Sequence, residues 1–131
     1  MKHRIVVKIG SNVLTREDGK LDVTRMSALV DQVAWLRKHD IEVILVSSGA
    51  VACGRRELTV DHSLDSVEQR QLYSAVGQVK LVGLYYDLFR EFGIHVGQVL
   101  TMKENFRPGG QFLHELWWHA CLKHFCNPGI F

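Results

Sequence analysis

Two short apolar runs, each halted by a small-residue turn, constrain the fold of this chain more than any other feature. Arg4-Ile5-Val6-Val7-Lys8-Ile9 is a β-branched run that stops at Gly10, and Glu42-Val43-Ile44-Leu45-Val46-Ser47 is a second that stops at Ser48-Gly49. Runs of this length and composition read as strands buried in a sheet. Between them Thr15–Lys20 is polar and carries Gly19, as a loop or hairpin would. Asp22 then caps a helix with Met26, Leu29, Val30, Val33 and Leu36 at helical spacing, ending near His39-Asp40. Ser66 with Gln69 offers a capping box for a later helix. That helix runs to Phe92, is interrupted or bent near Gly77, and takes Gly93 as its C-terminal cap. Ile94–Leu100 is a third strand candidate. Strand, helix, strand, helix, strand implies parallel pairing through right-handed crossovers, so the predicted class is α/β.

A chain of 131 residues suits one domain with a real core. Its formal net charge of +2, with basic residues scattered, gives no argument for nucleic acid or a membrane surface as partner. No apolar stretch reaches the ~18 residues needed to span a bilayer, and Met1-Lys2-His3 leads straight into a strand with no signal-peptide core. The expectation is a cytoplasmic protein whose three cysteines, Cys53, Cys121 and Cys126, are free thiols. From Arg107 the composition changes: both prolines, two of three tryptophans and two of three cysteines lie in the last 25 residues. The domain reading is therefore residues 1–107 as one body and 108–131 as an atypical tail.

The chemistry is expected where the two strands end. Lys8 precedes Gly10 and Ser11, and an ammonium beside a turn that lets backbone N–H groups approach suits an anionic ligand. The competing interpretation is a solvated lysine next to an ordinary turn. At the second strand, Ser48 and Gly49 lead into Ala50-Val51-Ala52, a small-residue start to a helix whose exposed N–H groups favour a carboxylate or phosphate. A close-packed turn without a ligand accounts for it equally well. Gly49 to Arg56 is not a P-loop, because Arg55-Arg56 stands where Lys-Ser/Thr is required. His114, His119, Cys121, His124 and Cys126 match no zinc spacing. Leu113, Leu116, Trp117, Ala120, Cys121 and Phe125 instead share one helical face. Cys53, among small apolar neighbours, reads as a packed thiol.

Taken together, these segments carry a resemblance. Val6-Val7-Lys8-Ile9-Gly10-Ser11-Asn12-Val13-Leu14-Thr15 resembles the opening of the glutamate 5-kinase branch of the amino acid kinase family. Val46-Ser47-Ser48-Gly49-Ala50-Val51-Ala52-Cys53-Gly54-Arg55 is similar to that family's substrate loop. Gln71 to Gln78 and Phe92 to Leu100 follow in the family's order. The resemblance implies a three-layer α/β/α sandwich around a mainly parallel sheet, incomplete in this chain. It implies transfer of the γ-phosphoryl of ATP, with Mg2+, to the γ-carboxylate of L-glutamate, opening proline synthesis. Lys8, Gly10 and Ser11 would meet ATP, with Lys8 offsetting charge on the transferred group. Ser48, Gly49 and Ala50 would hold glutamate, and a homo-oligomer is implied. After Arg107 the pattern departs, with Pro108-Gly109-Gly110 replacing an acidic residue and a Tyr-Leu-Asn-like helix. The expectation is a tail out of frame on a truncated, inactive chain. The alternatives are a non-catalytic glutamate-binding or regulatory module, and a metal-binding interaction protein that uses the tail.

Overall fold

In the computed structural model of the protein, residues 3–60 and 63–99 are described. Strands β1 (His3–Ile9) and β2 (Ile41–Ser47) pair in parallel, with His3 opposite Ile41 and Ile9 opposite Ser47. Parallel neighbours need a long crossover. Here it holds a one-turn helix α1 (Ser11–Leu14), a hairpin and helix α2 (Val23–Lys38). The hairpin forms as expected, closed by a Thr15–Leu21 bridge and turned at Gly19, whose φ of +76° favours glycine. Asp22 caps α2 by accepting a hydrogen bond from the Arg25 amide at 3.1 Å. The helix ends at Lys38, and Asp40 at φ +59° turns the chain into β2.

Side chains alternate across the strands. Val7 and Ile9 of β1, with Ile41, Val43 and Leu45 of β2, belong to a core completed by Met26, Val30 and Val33 of α2 and by Leu81, Tyr85 and Phe89 of helix α4 (Ser66–Arg90). Arg4, Val6, Lys8, Glu42, Ile44 and Val46 point to the other face. There Val6 is 65% and Val46 48% exposed, so among the described residues the sheet is covered on one side only. Arg4 and Glu42 face each other on that side as an ion pair at 2.6 Å.

Helix α3 (Ala50–Glu57) crosses α4 through a pair of glycines. A Cβ on Gly54 would lie 1.8 Å from the Tyr73 carbonyl oxygen, and one on Gly77 would lie 1.8 Å from that of Ala50. The helix is not interrupted at Gly77, as one form of the expectation had it. Helix α4 runs unbroken for 25 residues, and Gly77 is there because a neighbouring helix backbone occupies the space of a side chain. The capping box is real but sits one residue earlier than expected. The Asp65 carboxylate accepts from the Val67 and Glu68 amides at 2.8 and 2.9 Å, and Glu68 accepts from the Asp65 amide at 3.0 Å. Gln69 instead donates to the Leu64 carbonyl at 2.8 Å.

At the other end Gly93, with φ +67°, closes the helix as expected. Its amide donates to the Arg90 carbonyl, and the Ile94 amide donates to that of Phe89, the bond pattern of a Schellman cap. The turn sends Ile94 and Val96 back against the core. Among the described residues the sheet has two strands, and of the third strand candidate His95 holds a single bridge position. Leu100, the 108–131 tail, Cys121 and Cys126 lie outside the described residues. Among the described residues no helix is long and apolar enough to cross a membrane.

Candidate functional site

Both predicted loops emerge from the carboxyl end of the sheet, the edge at which open α/β sheets take ligands. They are fastened to each other. The Ser48 amide donates to the Ile9 carbonyl at 3.0 Å, carrying the ladder one step past the last strand pair. Leu14, fully buried, packs its Cδ1 3.7 Å from where a Gly49 Cβ would stand. Burying such a leucine contributes about 2 kcal/mol, so α1 is pinned beside the second loop by its one apolar anchor.

Lys8 is exposed on the open sheet face, opposite Val46, and has no ion-pair partner among the described residues. Gly10 has an ordinary φ of −74°, and a Cβ there would meet nothing within 4 Å. Neither torsion nor packing demands glycine at that point, which leaves the backbone open to approach. Ser11 is half-buried and starts α1, where its carbonyl accepts both the Thr15 amide and the Thr15 hydroxyl at 3.0 Å.

Ser48 is half-buried at the end of β2, and Gly49 sits at the N-cap of α3 with φ +117°, a torsion that side-chain-bearing residues avoid. No side chain caps α3. Its first N–H groups therefore look for an acceptor outside the helix, and the positive end of its dipole favours an anion. Ala50 begins the helix, with its carbonyl against Gly77.

Several residues that shape this edge were not singled out from the sequence. Ser47 Oγ lies 3.0 Å from the Tyr85 hydroxyl, tying α4 to the end of β2. Burial pushes the Tyr85 hydroxyl above its ordinary pKa, and the Ser47 bond works against that shift. Tyr85 falls in helical register with Leu81 and Phe89, which marks it as a core position. Its polar partner is 38 residues away and leaves no local signal.

A second concavity, about 210 Å³, lies under the hairpin and against the later part of α3. None of the six predicted loop residues lines it, and its charges are paired internally. Lys80 pairs with Glu57, while Asp18 lies 3.8 Å from Lys20 and 4.0 Å from Arg56. The hydrogen bond from the Lys20 amide is the main cause of the lowered Asp18 pKa. Arg55 lies over the Tyr73 ring at 5.6 Å, so both arginines of the rejected P-loop pattern have structural contacts. Cys53 is buried in α3, and burial raises its thiol pKa, as expected of a packed thiol.

The chain is thus an α/β domain with two interlocked small-residue loops at one sheet edge, beside a lysine with no ion-pair partner among the described residues. Comparison with known proteins is more specific. The family model described as "Amino acid kinase family" matches residues 3–123, and the chain belongs to that family. A protein from Bacteroides thetaiotaomicron named glutamate 5-kinase is 65% identical over 112 residues, covering 86% of this chain and 31% of its own length. A glutamate 5-kinase from Chlorobaculum tepidum is 43% identical over 111 residues, covering 85% and 31%. One from Shewanella halifaxensis is 39% identical over 127 residues, covering 97% of this chain and 33% of its own length. The chain thus spans about a third of the length of the curated relatives it matches.

Proposed function

We propose that this chain supplies the amino-acid-substrate half of an ATP-dependent glutamate 5-kinase, with residues 1–107 as that half. The observation that carries the reading is the fastening of the two loops side by side through Ile9–Ser48 and Leu14–Gly49. Its chemical direction is supported by the 65% identity to a protein of that name. In the proposed reaction a γ-carboxylate oxygen of L-glutamate attacks the γ-phosphorus of ATP. The bond to the β,γ-bridging oxygen breaks, ADP departs with that electron pair, and γ-glutamyl phosphate forms. The substrate is its own nucleophile, so the protein contributes position and charge.

Lys8 neutralises charge on the transferred group, and Gly10 and Ser11 form the turn facing the ATP phosphates. Ser48, Gly49 and Ala50 receive the glutamate through the hydroxyl and the uncapped amides of α3. Among the described residues no group of three or more His, Cys, Asp or Glu could hold a metal. Mg2+ would accompany ATP and offset charge on its phosphates, and no step is assigned to a protein-held ion. Proline biosynthesis, a cytoplasmic location and a homo-oligomeric assembly complete the proposal.

Amide NMR of the chain, titrated with L-glutamate and then with ATP and Mg2+, tests it. Glutamate is expected to move the Ser48, Gly49 and Ala50 amides, and ATP those of Gly10 and Ser11. Lys8→Met is expected to weaken the ATP response at least ~10-fold, the loss of one charge-assisted contact. Shifts confined to the cavity under the hairpin would overturn the assignment.

A further inference from the structure

We propose that Tyr85 and Ser47 are positioning residues for the substrate loop. Their hydroxyls form a relay that fixes the peptide between Ser48 and Gly49 and turns the Gly49 N–H toward the side of the sheet where Lys8 stands. The inference rests on the glutamate-binding role proposed above for Ser48, Gly49 and Ala50, and adds to it two residues that act through that peptide. Ser47 Oγ donates to the Ser48 carbonyl at 3.4 Å and lies 3.0 Å from the Tyr85 hydroxyl. A serine hydroxyl has a single proton. With that proton on the Ser48 carbonyl, Tyr85 must be the donor to Ser47, so the order runs from Tyr85 to Ser47 to Ser48. Burial holds the Tyr85 phenol above its ordinary pKa, which keeps the proton that the first step needs.

The Ser48–Gly49 peptide needs such a device. It is the first unit beyond the sheet, because the Ser48 amide makes the last ladder-like bond, to the Ile9 carbonyl. Among the described residues no backbone amide donates to the Ser48 carbonyl, and the Gly49 amide has no backbone acceptor. Glycine takes φ of either sign readily, so this peptide is free to turn over and exchange its two ends. At the observed Gly49 φ of +117° it occupies one of the two states. In a trans peptide the carbonyl and the N–H point in opposite directions. Ser47 continues the parity of Val43 and Leu45, which face the core on the side where α4 packs. Drawing the Ser48 carbonyl to that side sends the Gly49 N–H to the other, the side of Lys8. There a carboxylate would meet it beside the uncapped amides of α3. The 3.4 Å step is the long one, so a Ser47 hydroxyl oriented by Tyr85 holds the carbonyl better than a free rotor would.

Carbonyl and amide NMR of the 131-residue chain, with and without L-glutamate, tests the relay. Without ligand, Tyr85→Phe is expected to move the Ser48 carbonyl carbon and the Gly49 amide, although it lies far from both in sequence. It should do so again beside Ser47→Thr, which keeps a hydroxyl, and do nothing beside Ser47→Ala, which has none. With glutamate, Ser47→Ala is expected to raise the dissociation constant about 10-fold, the worth of one hydrogen bond to a charged group. Tyr85→Phe should raise it less, and the double variant should bind no more weakly than Ser47→Ala alone. Two independent packing contacts would instead add their losses. An additive double variant overturns the relay, as does a Ser48 carbonyl carbon indifferent to Tyr85→Phe in the parent background. The second of these arms remains decisive if Ser47→Ala misfolds. A parent chain that binds no glutamate overturns the binding role of the loop instead, and the ligand-free comparison still decides the relay.

Discussion

Replacing Gly77 by alanine adds one methyl group at the crossing of α3 and α4, and there is no room for it. The new Cβ would lie 1.8 Å from the Ala50 oxygen and 2.4 Å from the Gly54 nitrogen, where 3.4–4 Å is ordinary contact. Both are backbone atoms, so no side chain can swing away and the helices must separate. Overpacking of this kind costs about 3 kcal/mol, at the upper end of its usual range. Alanine returns about 1 kcal/mol of helix propensity, leaving a net loss of about 2 kcal/mol. For a domain of about 100 residues that lowers Tm by about 10 °C. The control is Gly83→Ala on the same helix, where nothing stands within 4 Å. It is expected to gain about 0.5–1 kcal/mol. Urea titrations of both variants, followed by circular dichroism, measure the contrast. If Gly77→Ala gains stability as Gly83→Ala does, the close-approach argument is wrong. Because the displaced atom belongs to Ala50, Gly77→Ala should also move the Ser48, Gly49 and Ala50 amide resonances.

Three smaller effects are expected. Asp65→Ala removes the acceptor for two helix amides and should cost about 1 kcal/mol in urea titration, while Ser66→Ala should stay within about 0.5 kcal/mol. Tyr85→Phe deletes the hydrogen bond to Ser47 and should cost about 1 kcal/mol by the same measurement. Burial raises the Cys53 thiol above its ordinary 9.0 and the Tyr85 phenol above its ordinary 10.0. Their contribution to stability is full below pH 9.0 and declines as pH climbs through the raised folded-state values, because the unfolded chain gives up those protons first. Denaturation midpoints measured on either side of pH 9.0 check the sign.

Features governed by neighbours in sequence were legible before the structure. Asp22 and Gly93 terminate helices through bonds spanning three to five residues, and both were placed correctly. The capping box slipped because Asp65-x-x-Glu68 and Ser66-x-x-Gln69 overlap, and local chemistry allows either. Gly77 was misread for a different reason. In isolation a helical glycine signals weakness, whereas here it marks contact with a backbone 27 residues earlier in the chain. The apolar alternation after Gly93 was legible too, and Ile94 and Val96 pack against the core. At the candidate site the loop residues were recognisable from their types and order. What sequence did not disclose was that Leu14, in a helix too short to be read, packs beside Gly49, or that Tyr85 reaches back to Ser47.

The bond between the Ser48 amide and the Ile9 carbonyl has a consequence for motion. Ser48 lies in a loop by sequence, yet its hydrogen is held as in the interior of a sheet, so it should exchange with solvent at the rate of strand amides. Gly10 and Gly49 then swing from one common fixed point. A ligand that draws in either loop changes the rest position of the other, and two binding events at this edge would be felt by each other through a single shared hinge.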